Sequence, residues 1–223
     1  GAIEACDLHQ IPYEVLSSSE VNNRFPGYRF PEEVTSVYQA DGGFLLPELC
    51  IVSHTQAAEQ AGAEIHTGEK VLDWDVQGEG VQVRTDQGTY LAGRLVVTAG
   101  AWASKLVPHV EQYAIPERQV MGWFKPDRPE LFTPENFPVV GIWTEEGRYY
   151  GFPNYAIPGF KIGRSHHLLQ QVDPDNMDRD IHPEDEEILR GFTSRYFPLA
   201  AGELLDKKTC IYTNTPDEQF MIG

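Results

Sequence analysis

The pattern of apolar and polar positions changes along the chain. From residue 118 onward, runs carrying β-branched and aromatic residues over 118–125, 139–143, 148–152, 159–164 and 207–213 predict successive strands. The intervening prolines, Pro126, Pro129, Pro134 and Pro138, suit long antiparallel connections. Residues 69–76, 81–85 and 89–91 predict a meander with turns at Gly78-Glu79-Gly80 and Asp86-Gln87-Gly88. Residues 34–40 predict a strand that stops at Asp41-Gly42-Gly43.

Helical spacing appears elsewhere. Pro47, then Leu49, Val52 and Ala57, then Gly62 predict a helix of roughly four turns over 47–62, entered by proline and ended by glycine. Serines at the start of 18–24 cap a short predicted helix, and Phe25-Pro26-Gly27 stops it. A further helix over 182–196 starts at Pro183 with acids in its first turn, which favours the positive end of the helix dipole. The run Arg94-Leu95-Val96-Val97-Thr98 is continuous rather than alternating, the pattern of a strand covered on both faces. It leads into Ala99-Gly100-Ala101-Trp102 and a short helical stretch at 104–107. The expected class is α+β: an antiparallel sheet with helices, plus part of a Rossmann-like α/β layer.

Composition narrows the function. The 223 residues are 41% hydrophobic and 11% aromatic, enough for a core. Acids outnumber bases 34 to 17, a formal net charge of −17, which argues against nucleic acid and anionic membrane surfaces as partners. Apart from Pro183-Glu184-Asp185-Glu186-Glu187 the charges are dispersed, as on a solvated surface. No apolar stretch approaches the ~20 residues of a membrane span, and the first residues do not form a signal peptide. Three cysteines, Cys6, Cys50 and Cys210, far apart and odd in number, suit a reducing cytosol, so a cytoplasmic location is expected. Without CxxC or HExxH, no metal is expected.

Few residues stand out chemically. Lys161 lies inside an apolar strand, where an ammonium is costly unless it faces a partner, a cofactor or a substrate. The alternative is a surface lysine guarding an edge strand. His166 and His167 are a pair without a third ligand, so loop histidines serve as well as proton carriers. Trp123, Phe124 and Trp143 suit either a pocket wall or core. Cys210, amid β-formers and followed by Asp217-Glu218, is unlike a core cysteine.

Four segments in order resemble the flavin-dependent monomeric sarcosine oxidase and N-methyltryptophan oxidase family, within the D-amino-acid oxidase superfamily. They are Val21-Asn22-Asn23-Arg24-Phe25-Pro26-Gly27; residues 94–106 with Thr98-Ala99-Gly100-Ala101-Trp102; Tyr149-Tyr150-Gly151-Phe152-Pro153 followed by Lys161-Ile162-Gly163; and Thr209-Cys210-Ile211-Tyr212-Thr213. The resemblance implies FAD as cofactor, covalent through Cys210 in the intact enzyme. It places Lys161 near the flavin N5 to activate oxygen, Tyr150 in the substrate pocket, and Val71, Thr98, Ala99, Gly100 and Trp102 along the cofactor. The family's histidine, four residues after the lysine, falls on Ser165 here, so His166 is assigned that role. It implies residues 1–44 and 114–223 as a substrate domain, the latter ending in the flavin-attachment strand, and 45–113 as part of the FAD-binding domain.

The GxGxxG turn that seats a dinucleotide pyrophosphate does not occur in this sequence. The lysine and arginine that clamp the substrate carboxylate in that family are not matched either. The chain therefore reads as a piece of a longer enzyme, inactive alone. The expected activity of the parent is oxidation of a secondary N-methyl amino acid such as sarcosine to an imine, with oxygen reduced to hydrogen peroxide. The partners are a small amino-acid substrate and oxygen. The competing readings are a glycine or D-amino-acid oxidase or dehydrogenase relative, and a flavin-free non-catalytic module.

Overall fold

A computed structural model describes residues 1–222. In chain order its regular elements are α1 (Ala2–His9), β1 (Glu14–Ser17), α2 (Ser18–Arg24), β2 (Thr35–Tyr38), α3 (Pro47–Gln60), β3 (Val71–Gln77), β4 (Gly80–Thr85), β5 (Thr89–Ala92), α4 (Ala103–Leu106), β6 (Ile115–Phe124), β7 (Val140–Thr144), β8 (Gly147–Phe152), β9 (Phe160–Ser165), α5 (Pro183–Tyr196) and β10 (Leu204–Asn214). The expected mixture of helices and antiparallel sheets is present. The chain divides into two compact units. Unit 1 comprises 1–44, 118–170 and 177–210; unit 2 comprises 45–117, 171–176 and 211–223.

Unit 1 is built on a sheet in the order β10-β6-β9-β8-β7. Strand alternation gives the sheet two unlike faces. Val120, Phe124, Phe160 and Ile162 are wholly buried and point to the core, joined there by Tyr149. Helix α5 covers that face with Asp185, Leu189, Phe192, Thr193 and Tyr196, spaced along one side of the helix. The Phe192 ring stacks on Tyr149 at 3.5 Å between centroids. Residues 25–30 close the core: Tyr28 stacks on Phe137 at 4.4 Å and donates its hydroxyl hydrogen to the Pro138 carbonyl at 2.6 Å. Helix α2 begins with a reciprocal cap, in which the Ser17 amide donates to the Glu20 carboxylate at 2.8 Å and the Ser17 hydroxyl accepts from the Glu20 amide at 3.4 Å.

The acidic run at 184–187 is not uniformly a solvated face. The Asp185 carboxylate is fully buried and accepts from both terminal nitrogens of buried Arg118, at 3.0 and 2.9 Å. It also accepts from the His182 amide at 2.9 Å and lies 2.9 Å from His167 Nε2. Burial pushes the Asp185 carboxyl up, but Arg118 and the His182 amide outweigh it and hold the group below the ordinary carboxylate range. Position N3 of α5 explains the choice of acid, because it satisfies the helix entrance and the guanidinium at once.

Unit 2 contains the meander β3-β4-β5, helix α3 and helix α4. The Trp74 indole donates to the Leu106 carbonyl at 2.8 Å, tying β3 to α4. Helix α3 has no buried residue. The strand expected at 94–98 does not form: these residues have no ladder partner, and Val96 is 81% exposed while Leu95 and Val97 are half-buried. A continuous apolar run becomes a strand only when neighbours on both sides take its amides and carbonyls, and among the described residues none do. Leu95 and Val97 instead line an apolar cleft with Trp74, Val107 and Tyr113.

Candidate functional site

Strand β9 places Lys161 in the interior of the sheet, between β6 and β8, so the edge-guarding alternative does not hold. Phe160 and Ile162 point to the core, and alternation turns Lys161, Gly163 and Ser165 to the opposite face. The ladder pairs Lys161 with Trp123 on β6 and with Phe152 on β8. The half-buried ammonium lies 4.8 Å from the Phe152 ring centroid and 5.2 Å from that of Trp123. Two aromatic faces offset part of the cost of desolvating the cation and hold it in place. Trp123 itself is 5% exposed.

Tyr150 stands on the same face, paired with Gly163. Its ring and hydroxyl occupy the space that a Cβ at 163 would fill, so glycine is required there by close approach. The Tyr150 and Phe152 rings meet nearly edge-to-face at 6.0 Å, and Phe44 meets Phe152 in the same manner at 6.0 Å. Cys210 on β10 is a free, half-buried thiol. Burial pushes its pKa up, and the Lys161 ammonium pulls it the other way. Lys208, two residues earlier on β10, reaches the Trp123 ring that Lys161 also contacts, and alternation turns Cys210 to the same side. Lys161, Tyr150 and Cys210 are thereby brought to one side of one sheet.

The two histidines separate. His167 is fully buried, and its imidazole is committed to Asp185. Burial pulls its pKa down, against the raising effect of Asp185. His166 lies in the turn directly after β9, with φ +55°, and is only half-buried.

The remaining candidates are in unit 2. Val71, Ala99 and Trp102 line a cleft of about 640 Å³ together with Lys70, Leu72, Lys105, Leu106 and Asp175. Thr98 and Gly100 adjoin it in sequence and are exposed, and Gly100 has φ +52°. The Trp102 indole donates to Asp175 at 2.7 Å, and Lys105 donates to both Asp173 and Asp175. Lys105, the Asp175 amide and Asn176 together hold the Asp173 carboxyl down to about 2. Sequence reasoning missed this cluster. Its signal was Asp-Pro-Asp at 173–175, which asks for cations and amides, but nothing local pointed to Lys105.

The pattern of the FAD dependent oxidoreductase family matches residues 2–223. The chain belongs to that family. It is 37% identical over 224 residues to a monomeric sarcosine oxidase from Arthrobacter sp. (strain TE1826), covering 99% of this chain and 57% of that protein. It is 30% identical over 216 residues to an N-methyl-L-tryptophan oxidase from Salmonella dublin, covering 96% of this chain and 56% of the relative. The chain thus spans little more than half the length of these family members. Among solved structures, NikD, an amino acid oxidase essential for nikkomycin biosynthesis, superposes in its open form with a TM-score of 0.73 at 22% identity, over 94% of this chain and 55% of that one. That likeness concerns the fold. The family is described as FAD-dependent oxidoreductases.

Proposed function

We propose that this chain provides the substrate-side sheet and the flavin-attachment strand of an oxidase for a secondary, N-methyl amino acid, with dioxygen as electron acceptor and hydrogen peroxide as product. The grouping of Lys161, Tyr150 and Cys210 on one aromatic-lined face carries the reading. The similarity to sarcosine and N-methyl-L-tryptophan oxidases supports the substrate class.

The residues present fit the ring end of FAD. Trp123 and Phe152 flank a cation, Gly163 leaves no side chain above the strand, and Cys210 offers an unpaired sulfur. When bound, FAD supplies the two-electron acceptor for amine oxidation and passes the electrons to oxygen. Cys210 Sγ is the tether. Only a thiolate is nucleophilic, so burial opposes the reactive form and Lys161 favours it. Lys161 stabilises the negative charge that develops on dioxygen as electrons reach it, because a fixed cation in a poorly solvated place needs no reorganisation. The Tyr150 hydroxyl positions the substrate or a water, and His166, at the end of the same strand, is the group for proton movement. Val71, Thr98, Ala99, Gly100 and Trp102 form the nucleotide-side contacts around their cleft.

Half-reactions of the full-length protein, followed by stopped flow, test this reading. Lys161→Met slows reoxidation by oxygen a hundredfold or more (about 3 kcal/mol of lost charge stabilisation, on the order of one removed oxyanion donor), while reduction by sarcosine changes far less. Equal slowing of both half-reactions makes Lys161 structural. The 223-residue chain with added FAD and sarcosine yields no peroxide.

A further inference from the structure

In the sheet order β10-β6-β9, Trp123 on the middle strand has a cation on the strand to either side. Lys161 Nζ is 5.2 Å from its ring centroid, and Lys208 Nζ, on β10, is 5.7 Å from the same centroid. Two ammonium groups converge on one buried indole in a chain of net charge −17. Like charges repel, so two ammonium groups over one ring need an offset. The negative π-face offsets part of the repulsion. Asp206, two residues before Lys208 on the same strand, lies 3.8 Å from it and offsets part of its charge. Lys208 precedes Cys210 by two residues, so strand alternation turns both to one side of β10.

We propose that Lys208 is a second cation of the Lys161 site, raising the positive potential on the Trp123 face where the reduced cofactor and dioxygen carry negative charge. This rests on the reading of Lys161 given above and adds a residue to it. Lys208 is a positioning and electrostatic residue, not one that touches substrate. Its side chain is 55% exposed, so solvent weakens its field and its effect is smaller than that of Lys161.

The test uses the full-length flavin-loaded protein with Lys208→Met and Lys208→Arg, beside Lys161→Met. Methionine keeps the apolar stem over Trp123 and removes only the charge. Lys208→Met is expected to slow reoxidation by roughly three- to tenfold, the scale of one partly screened charge, with substrate reduction and KM nearly unchanged. A redox titration should show its flavin midpoint potential to be more negative than in the parent. Lys208→Arg should restore both quantities. Unchanged reoxidation and potential in Lys208→Met overturn the proposal, as does a Lys208→Arg variant as impaired as Lys208→Met, which assigns the contact to packing. If Lys161→Met itself leaves reoxidation intact, the Lys161 reading fails, and that outcome is distinct from a silent Lys208.

Discussion

Unit 1 and unit 2 have similar proportions of apolar residues and use them very differently. Unit 1 buries Phe124, Phe132, Phe137, Phe160, Phe192 and Phe197 in one cluster and adds a buried Arg118–Asp185–His167 network. In unit 2, Ala101 is the one buried hydrophobic residue among those described, while Leu45, Leu49, Ile51, Leu91 and Val96 are exposed. Both units carry the amphipathic patterns of folded elements. Only in unit 1 do those patterns find each other. The proposed chemistry divides along the same line: the reactive groups Lys161, Tyr150 and Cys210 sit on the rigid sheet, and the nucleotide-side candidates sit on the open unit.

The sharpest way to break this contrast is Asp185→Ala. It strips buried Arg118 of its bidentate partner and α5 of its first-turn acceptor, and should cost about 3–5 kcal/mol of unit 1 stability in urea denaturation. Lys105→Ala, which opens the exposed ion-pair cluster of unit 2, should leave the same transition unmoved. Amide exchange on the 223-residue chain should then separate the units, with β8, β9 and α5 protected and α3 and residues 94–98 opening at least about 2 kcal/mol more easily. Uniform protection would show that unit 2 has cover its exposed residues do not reveal. Gly163→Ala should cost about 1–3 kcal/mol by driving a methyl into the Tyr150 ring, and should shift substrate KM in the intact enzyme through the displaced hydroxyl.

The smallest expected effect is a pH slope. His167 is held neutral by burial, so its folded pKa lies below its unfolded value of about 6.5. The unfolded state then takes up a proton first as pH falls, and stability is lost below about pH 6.5. His182 has the opposite sign: Asp178 raises its pKa, so its contribution is present at low pH and fades as pH rises through the folded value. His167→Gln should flatten the loss between pH 7 and 5 relative to the parent, measured by urea midpoints. An unchanged slope would mean that carboxylates alone set it.

The strands at 148–152 and 159–164 were legible from their β-forming and aromatic residues, and in the fold their core-facing positions are buried while most of the others stay partly exposed. Residues 94–98 were misread, since their pattern records neighbours that none of the described strands supplies. Lys161 was visible as an ammonium among apolar residues, yet its place between two aromatic rings was not, because cross-strand register decides it. Lys208 and Lys105 carried no local signal; each matters through a partner at least 68 residues away in the case of Lys105, or on a neighbouring strand in the case of Lys208. Likewise Asp185 looked like one surface acid among several, and only the packing of α5 makes it the buried one.

The site of cofactor attachment decides the role of this sheet face most directly. Acid-denatured full-length protein, digested and mapped by mass spectrometry, should retain flavin on the peptide containing Cys210, and Cys210→Ser should release all of it. Flavin found free in the denatured parent, or bound to a peptide from elsewhere in the protein, would contradict the assignment of this sheet face to the flavin ring.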